Sequence, residues 1–433
     1  MLPPGPRSGL LTILRYMRDP VASTSALFER YGDPHTVHMI GPPTVSTRDP
    51  QLIRSIFAQD PDTYLPWGRE MFAAVLGEGS LMALIGERHR AVRKILMPPF
   101  LGARMKAYGR IMQTITAAEL ERQPRRQPFP IQQAIQTISL RIILKAVFGI
   151  TDPAATRHYE QLLIAAVGAV TPPFIFIGAL RNELFGFGPW ARAKRCEREL
   201  ARLINEEVAR RLAEPAERDD VLSLVMAARY DDGQPMTSKQ LFDILLTLMA
   251  AGHETSASAA AWAYYLVQKN ARVRDKLRAE LATLPDDAEP EAIARLPYLG
   301  AVCDETLRLN PAVPNVTRVL TRPLTLGRWE LPAGVGLNPS IVGLHYHPGL
   351  YPEPMDFRPE RHLERSFGPT EYMPFGGGHR RCIGAAFAMY ELKIVLATLL
   401  RDPSLILVGK KPVRLGLRNI AMGPTRPIMV MFE

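Results

Sequence analysis

The chain is poor in cysteine. Only Cys196, Cys303 and Cys382 occur in 433 residues, an odd number without clustered spacing. That argues against a disulfide framework and for a reducing compartment. No CxxC pair occurs, which removes the usual zinc reading. No GxGxxG opens a helix, so no nicotinamide site is indicated. No apolar run reaches the roughly 20 residues that a spanning helix needs. The N-terminal MLPPGPRSGLLTILRYM is too short and has neither a charged leader nor a cleavage site. A cytoplasmic protein without a transmembrane anchor is expected. Low-complexity blocks and internal repeats are also missing, which excludes solenoids and propellers.

What is present is ordinary globular composition, 47% hydrophobic and 22% charged. No linker-like stretch divides the chain, so residues 1–433 are read as one large domain with sub-domains. The formal charge is +10 and arginine greatly outnumbers lysine. No basic run is interleaved with aromatics, so nucleic acid is not expected. An acidic protein is the partner that the charge suits. Residues 35–48 alternate around Gly41, Pro42 and Pro43 and predict a hairpin. Asp49 and Pro50 then start a helix. Helical patterns fill about 50–310, the longest over about 237–268, and return over 383–401. Short β-like runs occupy about 316–340 and 403–433. The fold class is mainly α, a large helix-rich body with a smaller β-rich part.

The most informative stretch is Phe375 to Gly384, FGGGHRRCIG, set just before an apolar helical run. A thiolate at a helix N-terminus is favoured by the dipole. The glycines let the backbone approach a flat cofactor. A haem iron with an axial cysteine fits such a site best. The spacing Phe-x-x-Gly-x-Arg-x-Cys-x-Gly resembles that of the cytochrome P-450 family, and the likeness extends over nearly the whole chain. It implies the P-450 fold, with haem between the long central helix and the helix after the Cys loop. The implied cofactor is heme b, with Cys382 as the metal ligand and Phe375 and Gly384 in the cradle. The absence of CxxCH makes covalent haem attachment unexpected.

Ala251-Gly252-His253-Glu254-Thr255-Ser256 places a glycine, an acid and hydroxyls inside an apolar helix. Propensity disfavours this, and buried polar groups need partners. Threonine bonds back to the carbonyl four residues earlier, opening a groove for a small ligand such as dioxygen. The resemblance implies that Thr255 binds dioxygen and that Glu254 relays protons. Glu305 and Arg308, three apart, share a helix face. With Arg361 in Pro-Glu-Arg they resemble the family's Glu-Arg-Arg triad, a structural role. His89 and Arg93, four apart, share a face and match the family's haem-propionate donors, as do Arg318 and Arg380. His345 and His347 lack a third ligand nearby, so they are not read as a metal site.

Family substrate-contact regions carried across by motif give Trp67, Phe72, Leu81, Thr247, Ala250, Ala251, Val313, Asn315, Val316, Ala421 and Met422. A roomy, greasy site is expected, with Asn315 as a hydrogen-bonding anchor. The broken apolar stretch 171–190 is read as a lid. The implied activity is a monooxygenase that uses O2 on a hydrophobic small molecule, such as a fatty acid, terpenoid, steroid-like or polyketide compound, in secondary metabolism. Too little chain follows Cys382 for a flavin domain. Ferredoxin with its reductase, or flavodoxin, is the expected donor, and a monomer is expected. A peroxide-driven or isomerising member of the same fold, or a haem-binding sensor without turnover, stay open as alternatives.

Overall fold

The computed structural model describes residues 1–39, 41–100, 102, 104–150, 152–169, 180–181, 183, 186–214, 218, 220–409, 411–418 and 421–433. They form two compact units. The first contains Met1–Trp67, Leu120–Ile135 and Ala257–Glu433, and the second Gly68–Glu119 and Gln136–Ser256.

The first unit carries the β structure. Its largest sheet has five strands in the order His35–Val37, Thr44–Thr47, Gly336–Pro339, Arg318–Leu320 and Tyr64–Pro66. The expected hairpin pairs His35 with Ser46 and Val37 with Thr44. Thr44–Thr47 then runs parallel to Gly336–Pro339, and the remaining pairs are antiparallel. The parallel pair is closely packed: a Cβ on Gly336 would meet Thr44 Oγ1 at 2.3 Å. Under this sheet Val45, Ile56, Leu320, Leu326, Leu331 and Leu337 form a buried cluster. Asp49 caps the helix Pro50–Phe57 by accepting from the Gln51 and Leu52 amides, as its sequence predicts. The edge strand Tyr64–Pro66 was not expected. Three residues carry no readable alternation, and pairing with Arg318–Leu320 creates it.

The C-terminal residues form two smaller sheets. Met429–Phe432 pairs with Phe129–Pro130 on one side and Leu405–Leu407 on the other. Leu415–Arg418 and Ala421–Pro424 make a hairpin. Helices of the same unit include Pro297–Leu309, with ten buried side chains, and Ala385–Arg401, whose inner face carries Phe387, Leu392, Leu396 and Leu400.

The second unit, among the described residues, is helical. The helices Ile131–Phe148 and Ser238–Lys269 each cross the division between the units. Pro153–Ala169 lies against Gly188–Ala213. A buried Arg211 ties this region together, donating to Asp220 at 2.6 Å, to Glu207 at 2.6 Å and to the Phe148 carbonyl. The predicted lid, 171–190, lies for the most part outside the described residues. Its described end, Gly188–Trp190, is the first turn of the helix Gly188–Ala213. No single helix among the described residues is long and apolar enough to cross a membrane.

Candidate active site

The Cys loop is built by left-handed glycines and one closing bond. Gly376 and Gly378 have φ of 67° and 64°, a region that L side chains rarely adopt. A Cβ at Gly377 would meet the Phe57 ring at 2.1 Å, so that position also excludes a side chain. The Cys382 amide donates to the Phe375 carbonyl at 2.9 Å and closes the loop. A 3-10 turn, Gly378–Arg380, lies inside it. Gly384 then caps the helix Ala385–Arg401 without a side-chain bond, so the first amides of that helix have no side-chain acceptor at the cap. Cys382 sits two residues before the cap and is exposed. Cys303 differs in every respect: it is fully buried, and burial pushes its thiol far up, which keeps it protonated.

Beside the loop stands Arg318, only 4% exposed. Its Nη2 donates to the Gly377 carbonyl at 2.7 Å, while Nη1 is buried with no partner among the described residues. The guanidinium packs over the Phe57 and Tyr64 rings, at 4.7 and 5.6 Å from their centroids. Burial pulls its pKa down to about 10. A buried cation with an orphaned donor and no carboxylate partner among the described residues suits an anionic ligand. A haem whose propionate meets Arg318 while its iron meets Cys382 is a group that these residues fit. Arg380 lies half-buried in the same loop.

Behind the loop, Glu305 is the centre of a buried ionic cluster. Arg308 grips it bidentately at 2.8 and 2.9 Å, and Arg361 donates at 3.0 Å. His362 Nε2, at 3.1 Å, and the Arg358 amide, at 3.0 Å, complete the set. Glu305 and Arg308 are 0% exposed. Burial alone would raise the Glu305 carboxyl, but the bonds from Arg308 and His362 win and bring it down to about 2. Arg308 and Arg361 spend their remaining donors on the carbonyls of His345, Pro354 and Asp356, and of Pro352 and Glu353. His362 went unread in the sequence, although it directly follows the Pro-Glu-Arg signal.

The long helix Ser238–Lys269 runs unbroken through Gly252–Ser256. Thr255 Oγ1 donates to the Ala251 carbonyl at 2.7 Å, the expected back-bond. Thr116 and Thr398 do the same elsewhere, so the bond alone is not diagnostic. Glu254 is half-buried, and its carboxylate has neither a hydrogen bond nor an ion pair among the described residues. A Cβ on Gly252 would meet Ile143 Cδ1 at 2.7 Å, so the neighbouring helix packs closely there. Ala251 is exposed and Ala250 half-buried, although Met249 and His253 beside them are buried. On Gly86–Leu96, His89 is buried and Arg93 half-buried, one turn apart.

The residues read as substrate contacts are divided between the two units. Trp67, Val313, Asn315, Val316, Ala421 and Met422 belong to the first, and Phe72, Leu81, Thr247, Ala250 and Ala251 to the second. The side-chain amide of Asn315 is occupied inside the protein: it donates to Tyr16 Oη at 2.9 Å and accepts from Asn338 at 3.0 Å. Thr247 is buried, 2.8 Å from Ser80 Oγ and 2.6 Å from the Asp243 carbonyl. Met422 is packed with Leu309, Val342 and Tyr346. An open groove in the second unit, about 830 Å³, lies along Gln161, Ile164, Arg192 and Arg195 and includes none of the predicted contacts.

Comparison with known proteins identifies the family and the fold. The cytochrome P450 family model matches residues 2–431, and so runs through both units. Cytochrome P450 135B1 of Mycobacterium tuberculosis is 34% identical over 98% of this chain and 90% of its own length. Cytochrome P450 137 of the same species is 33% identical over 94% and 84%. Among solved structures, a cyanobacterial CYP120A1 with retinoic acid bound superposes at a TM-score of 0.86 with 24% identity, covering 100% of both chains. The haem domain of cytochrome P450DA also reaches 0.86, with 21% identity, over 100% of this chain and 98% of its own.

Proposed function

The chain belongs to the cytochrome P450 family, and on that premise we propose that it inserts one oxygen atom of O2 into a C–H or C=C bond of a hydrophobic small molecule, with ferredoxin or flavodoxin as the electron source. Family membership makes it a haem-thiolate monooxygenase that draws electrons from a redox partner. The proposed substrate class is a fatty acid, terpenoid, steroid-like or polyketide compound, and the proposed cofactor is heme b. For hydroxylation the balance is RH + O2 + 2 electrons + 2 protons giving ROH + H2O. One oxygen atom enters the substrate and the other leaves as water.

The observation that carries this reading is the loop that presents Cys382 beside a buried, unanswered guanidinium. The haem supplies the oxidising chemistry when bound, and a thiolate ligand favours O–O cleavage. The chain's own residues do the rest. Cys382 holds the iron, its anion favoured by the helix that follows. Arg318 answers one propionate, with Arg380, His89 and Arg93 as further donors. Glu254 carries protons inward, which its lack of a partner among the described residues leaves it able to do. Thr255 holds a hydroxyl next along the same helix, and its proton would have to leave the Ala251 carbonyl to reach dioxygen. Glu305, Arg308 and Arg361 keep the loop's support rigid. Small Ala250 and Ala251 leave room for substrate, and Trp67, Phe72, Leu81, Val313, Val316 and Ala421 supply apolar contacts. Excess positive charge suits docking of an acidic ferredoxin.

Two measurements test this. The reduced, CO-bound protein is expected to show the long-wavelength Soret band of a thiolate ligand, and Cys382→Ser to lose it. Retention of the band in Cys382→Ser overturns the assignment. A titration with fatty acids, sesquiterpenes, steroids and macrolides is expected to give a low-to-high-spin shift with one class. No shift with any of them removes the proposed substrate range.

A further inference from the structure

One side chain joins the Glu305 cluster to the Cys loop, and it is His345. The ring is 0% exposed. The Met373 amide donates to Nε2 at 3.1 Å. A backbone N–H only donates, so Nε2 is the unprotonated nitrogen. The ring proton therefore sits on Nδ1, which lies 3.2 Å from the Arg308 carbonyl, an acceptor only. Both neighbours demand the same neutral tautomer. Burial, reinforced by the Arg308 charge, holds the ring neutral by pulling its pKa down to about 3. Arg308 Nη1 also donates to the carbonyl of His345 at 2.8 Å, which fixes the backbone that carries the ring. Tyr372 stacks on the ring with centroids 5.4 Å apart, and its hydroxyl donates to the Asp304 carbonyl at 2.9 Å.

On the other side of this bridge, Met373 begins the turn that becomes the Cys loop. Its carbonyl accepts from the Gly376 amide at 3.0 Å. Phe375, inside that turn, accepts from the Cys382 amide at 2.9 Å. An unbroken line of bonds thus runs from Glu305 through Arg308, His345 and Met373 to the loop holding Cys382. We propose that His345 is a positioning residue for the thiolate: its Nε2, accepting from Met373, sets the height and angle at which the loop presents Cys382. This rests on Cys382 being the haem ligand. His345 touches neither haem nor substrate in this role.

The test uses two variants that split the ring's bonds. Glutamine reaches as far as Nε2, and His345→Gln keeps an acceptor for Met373. Asparagine reaches only as far as Nδ1, and His345→Asn keeps the bond to Arg308 while losing Met373. Both lose the ring stack equally. In the haem-loaded protein the ratio of reduced CO complex without the thiolate-type Soret band to that with it is expected to be about fivefold higher in His345→Asn than in His345→Gln, the equilibrium equivalent of one net hydrogen bond. Equal ratios in the two variants, or the reverse order, overturn the proposal. Hydrogen exchange of the wild-type holoprotein keeps the question open to refutation where neither variant folds. The Met373 amide is expected to exchange as slowly as the core of Ala385–Arg401, and exchange at the rate of an exposed loop overturns the proposal. A wild-type protein lacking the thiolate-type band would sink the haem-ligand reading instead, and the exchange rate would still decide whether the Met373 bond exists.

Discussion

Glu305–Arg308 and Glu199–Arg202 are the same motif in two settings. Each has a carboxylate three residues before an arginine, and each is gripped bidentately, at 2.8 and 2.9 Å in one case and 2.6 and 3.0 Å in the other. Their side chains are 0% and 0% exposed in the first pair, and 35% and 52% in the second. Both carboxyls are held down to about 2, Glu199 chiefly by its bond from Arg202, and Glu305 by donors that overcome burial. Equal geometry does not mean equal consequence. Exposed partners lose little to water when separated, whereas a buried charge left alone has nowhere to go. Arg318 is a third case, a buried guanidinium with no carboxylate partner among the described residues, which is the observation behind its proposed role as a propionate contact.

The largest effect is expected from Glu305→Ala. It leaves Arg308 and Arg361 buried without a counter-charge, and the loss should be about 3–5 kcal/mol in urea unfolding. A change near zero would mean that the cluster is not the support of the Cys loop. Arg318→Leu comes next. It should weaken haem retention about 10- to 100-fold, the range for a charged hydrogen bond of about 1.5–3 kcal/mol, read by haem transfer to an acceptor protein. Unchanged retention removes the propionate contact. Arg361→Lys keeps the charge but not the fork, so a loss of about 1–2 kcal/mol is expected in the same urea assay.

Acid titration sharpens the contrast. The folded-state pKa of Glu305 lies below its ordinary value of 4.5, so its contribution is present above about 4.5 and is lost as pH falls towards about 2. Glu305→Gln should flatten stability over that window. In 1 M salt the Debye length falls to about 3 Å, which screens Glu199 and leaves Glu305 largely untouched. The smallest effect belongs to Glu199→Ala, whose unfolding midpoint should match the wild type within replicate scatter. A clear shift would break the comparison.

The fold class was legible because long amphipathic helices and a cap such as Asp49-Pro50 are local signals. The hairpin at 35–48 was legible for the same reason. The strand Tyr64–Pro66 was not, because it exists only through its partner. At the site, the spacing around Cys382 and the back-bond of Thr255 are written in neighbouring residues. His362 was passed over, and His345 was weighed only as a metal ligand, because nothing local separates a histidine that completes an ion cluster from one on a surface. Asn315 was read as an anchor for substrate, but Tyr16 and Asn338, far away in sequence, already occupy its amide.

By itself, then, the sequence determined the family, the helix-rich architecture and the cysteine proposed as the haem ligand, all of which follow from residue types at short, fixed separations. The tertiary structure alone decided which of two identical Glu–Arg pairs is buried. It also decided that Arg318 has a donor with no partner among the described residues, and that His345 is held as one neutral tautomer between Arg308 and Met373. Burial and hydrogen-bond partnership are set by segments distant along the chain, and no local pattern encodes which segments will meet.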